Sequence, residues 1–429
     1  MKKSFINWVL ALSFALFSAC GNFDEEIIHE MATFTLTIPG GTVQLSGNPI
    51  LITCTTTTLQ DGVNVNDHRL LLKITCTDSA IPGGPWTDSI APLNGSATFN
   101  ISEIVDTEFT YDFITSLLTR FQERDALAAD ISVEVGECYY DANGDFVETW
   151  NTDPASTLTI LKGKLTRHEF NVLSANSSSF YSVFINGDRW LTKLERNQTD
   201  RLPEVVVSSV SDEVKAWFAV GSAKSYTIKS VTYFSDGTSE TYTDPASPYT
   251  CSVGKAYEVD LHKYVYNPNN KTVTKYYVSI SGTDRIFWVI VDNKNYDNHN
   301  VLFFANSVGG VEALHCFGRS TEDISVKGET VTNDALTFTA KTPTVKMTQG
   351  QYNTRYKINT GFKSLSERKW IKDLLISDNV WMKIDYPLYT KLTAINLMPV
   401  TIVPGSYTID DSSEDLMSIE FEIEVAHEY

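Results

Sequence analysis

Apolar and polar residues alternate with a period of two along most of the chain. The pattern runs from Phe34, Leu36 and Ile38, set among threonines, to Ile419, Phe421, Ile423 and Val425, set among glutamates. Successive side chains of a strand point to opposite faces, so this period predicts strands with one buried and one wet face. Val205 to Val210, Val214 to Val220, Tyr226 to Phe234 and Tyr276 to Ile280 read the same way. Ile286 to Val291 is apolar at every position, which predicts a central strand buried on both faces. The dipeptides Asp61-Gly62, Asn94-Gly95, Asn143-Gly144, Asn186-Gly187 and Asp236-Gly237 interrupt these runs. They accept the positive φ of tight hairpins. The expected fold is therefore all-β, with tandem antiparallel β-sandwich domains. Without a βαβ rhythm, a Rossmann-type nucleotide site is not expected.

One short helix stands out in the C-terminal domain. Ser364 and Glu367 form a capping box, and Trp370, Ile371, Leu374 and Leu375 follow at helical spacing. Asp378 and Asn379 end it, which places the helix over about 364–377. A second helical candidate runs from Asp112 to Ala128, where Phe113, Leu117 and Phe121 are spaced by four. At 429 residues the chain is longer than one hydrophobic core organises. Composition shifts divide it into β-domains over 31–165, 166–296 and 297–429, with the polar stretch from Asn293 to Asn300 at the last boundary.

The N-terminus adds a separate signal. Lys2 and Lys3 precede an apolar stretch from Phe5 to Phe17, too short to span a membrane and of the length of a signal peptide. It closes in Leu16-Phe17-Ser18-Ala19-Cys20, which resembles a bacterial lipobox, with Phe17 where Leu is more usual. Residues 1–19 are then a signal peptide, Cys20 the lipidated residue and 20–30 a tether. Asp24, Glu25 and Glu26 resemble the surface-export signal of lipoproteins in Bacteroidota. The expected location is the outer membrane or cell surface, held by the lipid. The other cysteines, Cys54, Cys76, Cys138, Cys251 and Cys316, are odd in number and lack CxxC spacing, so buried thiols are expected in place of a disulfide framework, with a Cys54–Cys76 bridge as the alternative. Such usage fits a reducing compartment better than an exported one.

Charge excludes some partners. A formal net charge of -19 repels phosphate backbones, and no basic patch offsets it, so nucleic acid is not an expected partner. A nucleophile elbow, P-loop, zinc-protease helix and dinucleotide fingerprint are missing from the sequence, and no two of the seven histidines are spaced as metal ligands on one element. Histidines such as His168 and His315 are expected as ordinary core or surface residues. No catalytic residue, metal or cofactor is assigned. Asp141, Asn143 and Asp145 offer oxygens to calcium, but a plain hairpin turn accounts for them. Trp86, Trp150 and Trp190 lie beside turn signals and are the candidate binding aromatics, able to stack on sugars or fill an interface. Trp217, Trp288, Trp370 and Trp381 fall within apolar segments and are expected in the core.

NVLFFANSVGGVEALHCFG (Asn300 to Gly318) and NTGFKSLSERKWIKDLLISDNVWM (Asn359 to Met382), followed by the end of the chain from Pro399, resemble the C-terminal part of β-rich proteins of Bacteroidota phages and prophages. MATFTLTIPGGTVQLSGNPI (Met31 to Ile50) resembles the start of the same proteins. The resemblance covers about a third of the chain and carries no catalytic motif. It implies a tail-associated structural role, with other structural proteins as partners. The lipobox departs from that pattern, since a virion protein made in the cytosol would start at Met31. The expected function is thus a non-enzymatic structural or attachment protein displayed as a lipoprotein. The alternatives are a surface glycan-binding lipoprotein of a nutrient-uptake system and, more remotely, a glycoside hydrolase.

Overall fold

The computed structural model describes residues 34–37, 43–56, 66–76, 85–107, 109, 120–124, 127–141, 143–151, 156–176, 178–195, 202–332, 345–384, 397–409 and 417–426. The signal peptide, Cys20 and the tether lie outside the described residues. The fold is all-β, built of several sheets with few helices.

In the first unit, a three-stranded sheet of Phe34–Thr37, Leu51–Thr56 and Ser96–Asn100 packs on a six-stranded one. The larger sheet runs Val43–Leu45, Ser156–Leu161, Ala128–Tyr140, Asn66–Cys76, Trp86–Ile90, with Phe146–Trp150 also paired to Ala128–Tyr140. Alternate residues meet between the two: Ile50, Ile52 and Phe99 from one side, Leu70, Leu72, Ile74, Ile131 and Val133 from the other. Period two is what brings each set to a single face.

The middle unit has a five-stranded sheet in the order Glu204–Val207, Ile286–Val291, Val273–Ile280, Ile228–Phe234, Ser239–Thr243. Its inner face packs on a three-stranded sheet of Lys215–Ala219, Ala256–Asp260 and Phe121–Arg124. Two sequence expectations fail here. Ile286–Val291 is the penultimate strand, with Phe287, Val289 and Val291 buried and Ile286, Trp288 and Ile290 only half-buried. Of the second helical candidate, residues 112–119 lie outside the described residues, and Phe121–Arg124 is a strand that crosses from the first stretch of chain to pair with Ala256–Asp260. Phe121 stacks on Tyr249 and Tyr257 at 4.2 and 5.4 Å between ring centroids, and tertiary packing of this kind overrides a local helical period.

A seven-stranded sheet forms the last unit: Val311–Cys316, Asn300–Ala305, Val380–Lys383, Leu397–Ile402, Met417–Val425, Val345–Lys363, Thr321–Thr332. The helix Leu365–Leu375 is capped at Ser364 by the expected box and buries Trp370, Ile371 and Leu374. In Met417–Val425 the glutamates face outward, and Glu424 pairs with Arg355 at 3.1 Å. Among the described residues, strand pairing is antiparallel except where the edge strands Val43–Leu45 and Glu204–Val207 join in parallel. One unforeseen helix, Arg167–Ala175, is capped by Thr166 and Glu169 and buries no residue.

The cores do not respect the unit boundaries. One runs from Val205, Phe218 and Tyr276 of the middle unit into Leu302, Trp370 and Phe421 of the last. Another joins Val43 and Leu45 of the first unit to Trp217, Phe303 and Val311. Cys54, Cys138, Cys251 and Cys316 are buried free thiols and Cys76 is half-buried, so Cys54 and Cys76 are not bridged. Among the described residues, no helix is long and apolar enough to cross a membrane.

Candidate binding face

The half-buried row on Ile286–Val291 belongs to a larger surface. Strand register places Trp288 opposite Tyr277, and Tyr277 opposite Val231, while Ile290, Lys275 and Tyr233 form the next row across the same strands. These side chains share the outer face of the five-stranded sheet, because their neighbours in sequence, Phe287, Val289, Tyr276 and Val278, fill the core. The rings touch one another. Tyr277 and Trp288 lie 4.8 Å apart between centroids, and Tyr233 lies 6.1 Å from Trp288. The Lys275 ammonium sits 5.1 Å from the Tyr233 ring and 5.3 Å from the Trp288 ring, within cation–π range of both.

This arrangement offers aromatic area at small entropic expense, since Tyr and Trp have only two χ angles to immobilise and here already brace each other. Its lysines, Lys229 and Lys275, are exposed on a chain of net charge -19. The face can therefore grip a flat or apolar partner with an acidic edge. Sequence reasoning assigned Trp288 to the core. The alternation on neighbouring strands was the available signal, because it fixes which residues of an all-apolar run face out.

The three tryptophans singled out from the sequence are not brought together. Trp190 is only 4% exposed and its ring meets Phe218 and Phe287 edge-on at 5.9 and 6.2 Å, so it is a core residue with no face for a ligand to stack on. The turn signal at Asn186-Gly187 belongs to the end of the π-helical turn Tyr181–Ile185, where the Asn186 N–H donates to the Tyr181 carbonyl. Trp86 pairs across strands with Ile74 and packs against the first core. Trp150 lies opposite Gly136, where a Cβ would come within 2.9 Å of the ring, so the indole covers the glycine. Its N–H donates to Glu148 at 2.6 Å. Both remain half-buried, on separate strands of the first unit. Trp217 and Trp370 are core residues as expected.

The Asp141 turn closes on itself. Asp141 Oδ1 accepts the N–H groups of Asn143 and Asp145 at 2.8 and 2.9 Å, and Gly144 takes φ +87°. The Asp145 N–H holds the Asp141 carboxyl below its usual range, with further N–H groups of the turn adding to it. The oxygen that calcium would need is engaged by the hairpin itself.

A different set of metal-type donors converges from three elements. Asp212 lies in the loop before Lys215–Ala219, His299 just before Asn300–Ala305 and His315 on Val311–Cys316, and their ligand atoms fall within 4.8 Å of one another. His168, by contrast, is exposed on the Arg167–Ala175 helix. Reading histidine spacing within one element could not find this cluster, since only the fold brings the three together.

No family model and no curated protein sequence matches the chain. A solved structure similar to part of it is the native conformation of the Escherichia coli alpha-2-macroglobulin, at 9% identity and a TM-score of 0.18. The match covers 76% of this chain, which spans 22% of that protein. At that score the likeness carries no argument.

Proposed function

We propose that this protein is a non-enzymatic attachment protein, displayed at the cell surface by a lipid on Cys20, that binds its partner through the outer aromatic face of the middle sheet. The observation that carries the reading is the braced Tyr233, Tyr277 and Trp288 array with Lys275 beside it. Cores shared between units add to it, because sheets packed on common cores present such a face from a firm base. The resemblance of Asn300 to Gly318 and Asn359 to Met382 to phage and prophage tail-associated proteins makes a structural protein the favoured partner. The same array favours a second reading, a surface glycan-binding lipoprotein, since aromatic faces also stack on pyranose rings.

One experiment addresses both. The purified chain is bound to isolated host envelopes before and after periodate oxidation of their glycans. Binding that survives periodate and weakens about thirty-fold in Trp288→Thr, the loss typical of a central aromatic anchor, supports the attachment reading. Loss on periodate supports the glycan reading, and equal binding by Trp288→Thr removes the face from either. The anchor is tested separately by intact mass of native material. Acyl groups on Cys20, abolished together with leader cleavage by Cys20→Ser, are expected; an unmodified chain beginning at Met31 overturns the lipid anchor.

A further inference from the structure

We propose that Asp212, His299 and His315 bind a divalent transition-metal ion, with Zn2+ as the reference case, that clasps the middle unit to the last. The inference is independent of the binding face. Two imidazole nitrogens and one carboxylate oxygen suit zinc and its neighbours, whereas calcium and magnesium take oxygen donors.

The cluster is oriented as a ligand set should be. His315 is 1% exposed, and its Nε2–H donates to the Glu213 carbonyl at 2.9 Å. A carbonyl only accepts, so the Nδ1 of His315 carries the lone pair, and it faces His299 Nε2 at 3.0 Å. Asp212 is fixed from behind. Its Oδ2 accepts from the Ser208 N–H, the Ser208 hydroxyl and the Ser209 N–H at 2.9, 2.8 and 2.9 Å, which leaves Oδ1 for the ion. Phe317, with ring centroids 5.2 Å from His299 and 6.4 Å from His315, walls one side and is itself stacked on Tyr296 at 4.5 Å. Lys363 lies 5.3 Å from the Phe317 ring, and its charge is offset by Glu367 at 3.5 Å.

Little movement is needed to admit the ion. Two nitrogens each about 2.0–2.1 Å from tetrahedral zinc stand ~3.3 Å apart. The imidazoles part by a few tenths of an ångström from their 3.0 Å contact, and Asp212 closes in from its place within 4.8 Å. His299 then carries its proton on Nδ1 instead of Nε2, the tautomer change of a neutral imidazole, so no net proton is lost. Water fills the fourth position, since Asp212 and His299 are only half-buried.

The consequence is mechanical. The loop holding Asp212 and Glu213 belongs to the middle unit, and His299 precedes, while His315 lies on, the first strand pair of the last. An ion there fastens a joint that otherwise rests on packing, hydrogen bonds and the Glu213–Lys383 ion pair at 3.4 Å.

The test uses the full chain, freed of metal by a chelator and titrated with Co2+, whose tetrahedral complexes absorb visible light. A visible band that saturates at one equivalent, is displaced by one equivalent of Zn2+ and weakens at least ten-fold in His299→Ala and Asp212→Ala is the expected result. His168→Ala, on an exposed helix, should leave it unchanged. No visible band in the folded wild-type chain overturns the site, as does a band that both ligand variants retain. If His299→Ala fails to fold, Asp212→Ala and the wild-type stoichiometry still decide.

Discussion

The strands Lys215–Ala219 and Ile286–Val291 each carry a tryptophan, and they occupy opposite kinds of place. Lys215–Ala219 is buried at all five positions. Ala216 and Phe218 enter the core shared with the last unit, while Trp217 and Ala219 enter the one shared with the first. Ile286–Val291, apolar throughout, buries one face and turns Trp288 to the outer side. The more polar of the two strands is thus the more deeply buried one, although it lies at the end of its three-stranded sheet. Its charge is tolerated because Glu258 and Asp260 on the adjacent strand pair with Lys215: burial works against the ammonium, and the two carboxylates outweigh it and raise its pKa. Arg124, arriving on the strand from the first unit, takes the other oxygen of Glu258 at 2.7 Å. Val311–Cys316 repeats the pattern, buried at every position yet holding Glu312 and His315. In a stack of more than two sheets, a charge within a strand says little about exposure until its partners are known. An apolar residue beside an already filled core is free to serve the surface.

The comparison is sharpest at Phe218. Its ring is fully buried, 5.5 Å from Tyr257, 5.8 Å from Tyr226 and 4.8 Å from the Arg285 guanidinium. Phe218→Ala should cost about 3–5 kcal/mol, seen as a lower urea midpoint of the full chain. That is a large part of a typical domain's stability, and the folded yield should fall with it. A cost below about 1 kcal/mol would mean that Phe218 is not packed in the core shared by the middle and last units.

Glu312 tests the charged side of the same contrast. Burial pushes its carboxyl up from the usual 4.5 to about 7, although Thr192, Trp370 and Asn306 all donate to it. A carboxyl with a raised folded pKa stabilises the fold below its unfolded pKa, and that contribution is lost as pH rises through the folded value. Between about pH 4.5 and 7 the wild type should therefore lose stability relative to Glu312→Gln, by on the order of 2–3 kcal/mol in all. Gln keeps the shape, its oxygen accepting from Trp370 and Asn306 while its amide donates to the Thr192 hydroxyl. Unfolding midpoints of both chains across that range check the sign, and parallel curves would refute the shift.

Local chemistry gives smaller effects. Ser364 Oγ accepts the Glu367 N–H at 3.4 Å, and Glu367 Oε2 accepts the Ser364 N–H at 3.0 Å. Ser364→Ala should cost about 1 kcal/mol, measured by urea unfolding of the full chain because the last unit shares its core with the middle one.

That helix was fully legible in the sequence, since cap, apolar face and stop signal agree. The outward alternation of Met417–Val425 was equally plain. Arg167–Ala175 was missed, although Thr166 and Glu169 form the same box and Phe170 and Leu173 follow at helical spacing to pack against the core shared with the first unit: its apolar stripe is short and no residue is fully buried. Phe121–Arg124 was misread because a spacing of four in sequence cannot register a partner strand more than a hundred residues away, as Val259 is from Phe121. Site reasoning failed for a related reason. Turn-adjacent tryptophans can be found locally, whereas Trp288 became a surface candidate only once register put Tyr277 beside it, and His299 meets His315 only where the first two strands of the last unit pair.

The smallest expected effect on stability completes the comparison. Trp288 is held on the outer face by Tyr277, Tyr233 and Lys275, contacts of the cross-strand kind, each worth a fraction of a kilocalorie. Trp288→Thr keeps a β-branched residue suited to the strand and should cost about 0.5 kcal/mol in urea unfolding, several-fold less than Phe218→Ala. Apolar area half-removed from water contributes little to folding, so natural chains retain it where something else uses it. A loss approaching that of Phe218→Ala would mean that another part of the full chain packs over Trp288. The outer face would then be an interior one, and the proposed attachment surface would have to lie elsewhere. A small loss of stability joined to a large loss of envelope binding would separate the two roles that these two apolar strands divide between them.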